Sequence, residues 1–170
     1  MGEIAKGGRA WKFGDNVTTD EITPGRYMSL RSNLPELAKH TLEDAREDFP
    51  SNVKPGDYVV ASKNFGMGSS REHAPLVIKM VGARAVLAQS FARIFYRNAI
   101  NIGLPAIICD TSKIDEGDEI ELNLPDACIE NLTKKIRIPF PRMSKTMEAI
   151  LNEGGLISYV EKHGDLAALS

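Results

Sequence analysis

Apolar residues along this chain follow three different spacings. Between Tyr58 and Cys109 they form short solid runs, Tyr58-Val-Val-Ala-Ser62, Ala85-Val-Leu-Ala88 and Ala106-Ile-Ile-Cys109. Strands covered on both faces of a parallel sheet read this way. Between the runs, Leu76, Val77, Met80 and Val81 make one helical stripe stopped by Gly82, and Phe91, Ile94 and Phe95 open a second helix reaching about Asn101. Gly103-Leu-Pro105 closes that helix. Strand, glycine loop, helix, strand, helix, strand is the alternation of βαβ units around a mainly parallel sheet.

The flanks read differently. Arg9 to Gly14 alternates Trp11 and Phe13 with polar neighbours, as a half-buried strand does. Glu119-Ile-Glu-Leu-Asn-Leu124 and Lys135-Ile-Arg-Ile-Pro139 alternate likewise and predict a small antiparallel layer, with the Trp11 and Phe13 strand as a candidate member. The spacing of Leu37, Ala38, Thr41, Leu42 and Ala45 predicts a helix over residues 34–46, ending before Phe49-Pro50. Two further helices are expected, one around Met147, Ile150 and Leu151 before Gly154-Gly155, the other from Leu156 to Gly164. The whole reads as one α/β domain over residues 1–170.

Charge narrows the function classes. The net charge is −2, with acidic and basic residues interspersed. No basic face for nucleic acid and no polybasic membrane patch stands out. No run approaches the length of a membrane span, and the Met-Gly-Glu-Ile-Ala-Lys start has no long apolar segment behind it, so a soluble cytoplasmic protein is expected. Cys109 lies in an apolar run, Cys128 stands alone, and His40, His73 and His163 are scattered. Two isolated cysteines cannot hold an iron–sulfur cluster. Any metal the chemistry needs is expected from another chain.

The chemistry concentrates in Asn64-Phe-Gly-Met-Gly-Ser-Ser-Arg-Glu-His73. Gly66 and Gly68 permit a sharp turn with close approach to a ligand. Ser69, Ser70 and Arg71 put two hydroxyls and a guanidinium at the expected start of a helix, whose free N–H groups suit an anion. A competing reading needs no ligand: Ser69 and Glu72 have the spacing of a capping box. Arg71 stands where a dinucleotide fingerprint needs its third glycine, and a serine-hydrolase elbow is absent. Thr18, Thr19 and Asp20 read locally as a hydrogen-bonded turn. Arg26 to Asn33 reads as an exposed loop with unusual apolar content, either a ligand lid or a segment tucked on the core. Arg93 and Arg97, four apart, read as a solvated helix face.

In combination, three blocks resemble the small subunits of the aconitase superfamily, of the isopropylmalate dehydratase and homoaconitase type. They are Trp11-Lys-Phe-Gly-Asp15 before Thr19-Asp20-x-Ile22, Asn64-Phe-Gly-x-Gly-Ser-Ser-Arg-Glu72, and Ser90-Phe-Ala-Arg-Ile-Phe-Tyr-Arg-Asn98 with Asn101-x-Gly103. The resemblance runs from about Arg9 to Gly164. It implies a three-layer β/β/α swivelling domain with mixed parallel and antiparallel strands, matching the C-terminal domain of single-chain aconitases. It also implies a larger partner subunit carrying a [4Fe–4S] cluster, in a heterodimer or heterotetramer. An open face awaiting such a partner is compatible with homo-oligomers of the isolated chain.

The activity implied is reversible dehydration and rehydration of a 2-hydroxy di- or tricarboxylic acid. By match to the motif, Ser69 is the base, Ser70 and Arg71 bind a substrate carboxylate, and Thr19 and Asp20 form the second active-site turn, Thr19 binding substrate and Asp20 catalytic by orienting neighbouring polar groups across the interface. Tyr27, Met28, Ser29, Leu30 and Arg31 occupy the substrate-specificity loop, and their order departs from the family's patterns for both an extra carboxylate and an alkyl group. Met28 and Leu30 favour an isopropyl-like substituent and Arg31 a charged one. Isopropylmalate, on the route to leucine, is the preferred substrate; homoaconitate and other substituted malates such as dimethylmalate are the alternatives. A non-catalytic module binding small acids or proteins is the reading of another class, and the intact serine pair argues against it.

Overall fold

The computed structural model describes residues 7–164. Residues 1–6 and 165–170, the two ends of the expected single domain and including the Met-Gly-Glu-Ile-Ala-Lys start, lie outside them. Seven strands, β1 (Gly8–Lys12), β2 (Tyr58–Val60), β3 (Ala85–Ala88), β4 (Ala106–Ile108), β5 (Glu119–Asn123), β6 (Cys128–Asn131) and β7 (Ile136–Pro139), form one sheet in the order β4-β3-β2-β1-β5-β6-β7. The half from β4 to β1 is parallel and the half from β1 to β7 antiparallel. β1 is the hinge: Ala10 to Lys12 pair with β2, while Gly8 and Arg9 pair with β5.

Side chains on the two faces of the parallel half go to two cores. Trp11, Val59, Val86 and Ala106 pack under the helices with Phe13, Phe49, Phe65 and Phe95. Ala10, Tyr58, Val60, Leu87 and Ile107 pack instead against Ile120, Leu122, Ile129 and Ile138 of the antiparallel half. The sheet therefore curls over itself, giving the β/β/α layering, and this is why the parallel strands read as solid apolar runs. A buried hydroxyl ties the two halves of the sheet, and a buried carboxylate ties β1 to the turn before β2. The Tyr58 hydroxyl accepts from Leu122 N at 2.9 Å, and Asp57 accepts from Trp11 Nε1 at 2.9 Å, Lys54 N at 2.9 Å and Arg9 N at 3.1 Å.

Among the described residues the α-helices are α1 (Thr19–Ile22), α2 (Leu34–Ala38), α3 (Phe49–Asn52), α4 (His73–Met80), α5 (Arg93–Asn101), α6 (Lys145–Asn152) and α7 (Leu156–His163). Three departures from the sequence reading have physical causes. The helix expected over 34–46 stops at Ala38, because Leu42 adopts φ 58° to bury its side chain completely, and its N–H leaves the helical pattern for Ile22 O at 3.0 Å. Gly25–Leu30 is a 3-10 helix rather than an open loop, with Tyr27 and Leu30 packed partly against the core. β6 was hidden by Asn131, a buried residue whose amide donates to Asp118 Oδ2 at 2.8 Å and Lys113 O at 3.2 Å, so a strand of the inner layer reads as polar.

Candidate active site

All three motif blocks converge at the C-terminal ends of β1, β2 and β3, the edge where open α/β sheets bind ligands. The segment after β1 and the segment after β2 run side by side. Asn16 N donates to Lys63 O at 2.8 Å, Gly66 N to Val17 O at 2.7 Å and Thr19 N to Met67 O at 2.9 Å. The segment after β3 locks on from the other side, with Phe65 N on Ser90 O at 3.1 Å, Ala92 N on Phe65 O at 2.9 Å, and the Ser90 hydroxyl accepting from Asn64 N at 2.9 Å.

Gly66 explains why this crossing needs glycine. Its φ is 85°, and a Cβ there would stand 2.3 Å from Phe95 Cγ on α5. The loop can thus lie flat on the Phe65, Phe91 and Phe95 cluster. Gly68, at φ 114°, brings the chain past Thr19 and delivers Ser69 to it.

The Thr19 and Ser69 hydroxyl oxygens lie 3.2 Å apart. Thr19 is buried and Ser69 is exposed. Arg71 is held by two acceptors, its Nη1 donating to Asp20 Oδ1 at 2.9 Å and to Thr23 O at 2.8 Å. Among the described residues no hydrogen bond uses its Nε or Nη2. The same Asp20 oxygen accepts from Gly25 N at 3.0 Å. Asp20 therefore reaches the site through Arg71. Ser69, Ser70 and Arg71 line an open cleft of about 310 Å³ together with Met28, Arg31, Glu72 and His73.

Of the expected specificity residues, Met28 and Arg31 line this cleft, Ser29 is exposed, and Tyr27 and Leu30 turn toward the body of the protein. Two expectations are corrected. Helix α4 begins at His73, four residues past Ser69, and Glu72 at its N-cap makes no side-chain capping bond, so Ser69 and Glu72 form no capping box. The capping box lies elsewhere: Thr18 Oγ1 accepts from Glu21 N at 3.1 Å while Glu21 Oε1 accepts from Thr18 N at 3.0 Å, starting α1. Nor does the α4 terminus offer a full set of donors. Ala74 N is spent on Arg71 O at 3.3 Å, and Pro75 has none. The cationic groups that line the cleft are the Arg71 and Arg31 guanidiniums.

Two contributors escaped the sequence reading. The Thr23 carbonyl grips Arg71 as backbone, which leaves no side-chain signature. His73 was inside the singled-out stretch without a role, and it lines the cleft.

Among the described residues no three His, Cys, Asp or Glu side chains are grouped to hold a metal. Cys109 and Cys128 are both buried and unpaired, and burial pushes the Cys109 thiol up to about 12. These residues do not fit an iron–sulfur cluster. Among them, too, no helix is long and apolar enough to cross a membrane.

Residues 12–111 match the aconitase C-terminal domain family. The chain is 62% identical over 159 residues to the 3-isopropylmalate dehydratase small subunit 2 of Archaeoglobus fulgidus, covering 94% of this chain and 96% of that protein. It is 52% identical over 164 residues to the isopropylmalate/citramalate isomerase small subunit of Methanocaldococcus jannaschii, covering 95% and 96%. A crystal structure of 3-isopropylmalate dehydratase from Methanocaldococcus jannaschii superposes with a TM-score of 0.88 at 47% identity, covering 92% of this chain and 93% of that one. With its three motif blocks gathered at one sheet edge and its fold shared with the solved relative, the chain belongs to the aconitase C-terminal domain family that includes the 3-isopropylmalate dehydratase small subunits.

Proposed function

We propose that this chain is the small subunit of a cytoplasmic 3-isopropylmalate dehydratase of leucine biosynthesis, active when docked on a larger subunit. The observation that carries the reading is the Ser69 hydroxyl, exposed in a cleft beside the Thr19 hydroxyl and the Arg71 guanidinium. The reaction moves a hydroxyl between neighbouring carbons of a substituted malate. Ser69 Oγ, as the alkoxide, takes the proton from the carbon next to the one that loses its hydroxyl, and returns it there on reversal. A serine alkoxide is unfavourable in water; a donated Thr19 hydroxyl and the nearby arginine charge stabilise it in the site.

Arg71 uses one nitrogen on Asp20 and Thr23 O, which fixes the guanidinium plane and leaves the rest of the fork for a substrate carboxylate. Ser70 adds a hydroxyl to that grip. A [4Fe–4S] cluster held by the large subunit would supply Lewis-acid chemistry at the hydroxyl; this chain's residues handle the proton and the carboxylate. Met67 within the catalytic loop and Ile94 on α5 stand exposed, apolar surface that suits coverage by a docked subunit.

Arg31 at the cleft favours a second reading, in which the substituent carries a third carboxylate, as in homoaconitate. The two are separated by an anaerobic assay of this chain with its large subunit, offering isopropylmalate, homocitrate, citrate and dimethylmalate separately and following the unsaturated acid by ultraviolet absorbance. Turnover of isopropylmalate that survives Arg31→Ala supports the first reading. Turnover of homocitrate that Arg31→Ala abolishes supports the second.

A further inference from the structure

The back of the 3-10 helix, away from the cleft, is held by a cluster that the chemistry above does not use. The Tyr27 ring stacks on the His40 imidazole with centroids 3.6 Å apart and planes 12° from parallel. The Arg26 guanidinium lies over the same tyrosine ring, 4.7 Å from its centroid. Glu43 gathers the donors: Oε1 accepts from Arg26 Nη2 at 2.9 Å and from the Tyr27 hydroxyl at 3.3 Å, and Oε2 is 2.7 Å from His40 Nδ1. Arg26 also donates to Asp44 at 2.7 Å. The His40 bond, reinforced by Arg26 against partial burial, holds the Glu43 carboxyl below the usual range. Glu43 is thus ionised at neutral pH and can only accept, so Nδ1 is the donor.

The anchor is built into the core, apart from the helix it grips. Between His40 and Asp44, Leu42 is fully buried and its N–H is tied to Ile22 O, while the buried Thr41 hydroxyl donates to Ala38 O at 2.7 Å. Ile22 ends α1, the same short helix that carries Thr19 and Asp20. One fixed unit therefore backs both the hydroxyl beside Ser69 and the segment that presents Met28 and Arg31. The 3-10 helix has no fully buried residue of its own. Partly exposed ion pairs add little to global stability, but several converging on one short segment fix where it lies.

We infer that His40 and Glu43 are positioning residues for substrate choice: through Tyr27 and Arg26 they hold Met28 and Arg31 facing Ser69, Ser70 and Arg71, and so set which substituent the cleft accepts. This rests on the reading of the cleft as a substituted-malate site. The test uses the chain reconstituted with its cluster-bearing subunit, comparing kcat and KM for isopropylmalate and for the smaller 2-methylmalate in wild type, His40→Ala, His40→Phe, Glu43→Ala and Glu43→Gln.

A displaced segment loses the larger substituent's contacts first, so His40→Ala and Glu43→Ala lower the isopropylmalate to methylmalate ratio of kcat/KM about 10-fold, the low end of what one methylene's pocket contacts discriminate. The loss falls on KM, and His40→Phe, which keeps the stack, recovers part of it. An unchanged ratio in both alanine variants overturns the inference, and Glu43→Gln serves if either fails to fold. Amide hydrogen exchange of residues 25–31 in the chain alone gives a readout independent of the substrate. Faster exchange confined to that segment in His40→Ala supports the clamp, and unchanged exchange overturns it. Failure of the wild type on both acids, with the exchange difference present, faults the substrate reading alone.

Discussion

The Thr19 hydroxyl lies 3.2 Å from the Ser69 hydroxyl although the two residues stand 50 positions apart, and the first is buried while the second faces the cleft. Either hydroxyl can donate in this pair, but once the Ser69 oxygen is an anion only Thr19 can, and a hydroxyl already in place does so with little reorganisation. Thr19→Val keeps the shape and removes the donor. It is expected to lower kcat about 100-fold, the typical effect of losing one oxyanion donor, with KM nearly unchanged. Steady-state kinetics of the reconstituted enzyme checks the split.

Arg71 is steered by Asp20, so the two substitutions should differ in kind. Arg71→Lys loses the planar fork and is expected to lower kcat/KM about 10- to 100-fold, the worth of one charge-assisted hydrogen bond. Asp20→Asn keeps an oxygen that can still accept from Nη1 and Gly25 N, and should cost less, mainly in KM. Equal losses in the two variants would mean that Asp20 acts on the substrate itself.

The helix-side architecture was legible because the strands of the parallel half carry solid apolar runs and α4 and α5 carry clear stripes. The candidate cleft was legible to the extent that Ser69, Ser70 and Arg71, which line it together, lie in a stretch that hydrophobic packing alone does not call for. What escaped depended on distant partners. Leu42 leaves the helical pattern because its burial lies against elements elsewhere in the chain, and periodicity cannot report that. Asn131 reads as surface until Asp118 and Lys113 O are seen to satisfy it. The Tyr27 and His40 stack joins residues with no shared spacing. Ser69 and Glu72 matched a capping box in letters, while Thr18 and Glu21 formed one in space.

Gly66 should be harder to replace than Gly68 in the loop that leads to Ser69. An alanine there takes up a positive φ and meets the Phe95 ring at 2.3 Å. Gly66→Ala is expected to destabilise the fold by about 3 kcal/mol, strain and overpacking together. Gly68→Ala meets Thr19 Oγ1 at 3.2 Å instead and should disturb the Thr19 and Ser69 pair more than the fold. Urea unfolding of both variants, set beside their kinetics, checks the contrast.

The acid limb of stability should carry a contribution from Glu43. Its carboxyl is held below its ordinary 4.5 by the bond from His40, with Arg26 assisting. A lowered folded-state value stabilises in full above the ordinary value, and this is lost as pH falls through the folded value. Glu43→Gln should therefore melt below wild type at pH 7, with the gap closing as pH falls below the ordinary 4.5 and through the lowered folded value. Melting curves from pH 7 to pH 3 measure it; a gap that widens with acid would contradict the assignment.

The most direct test of the central claim is the anaerobic turnover of isopropylmalate by wild-type chain and by Ser69→Ala, each paired with the same cluster-loaded large subunit. The account predicts turnover by the wild type and a loss of at least about 100-fold in kcat in the variant, the low end for removing a positioned proton-transfer group. Undiminished turnover by Ser69→Ala, or none by the wild type, would contradict it.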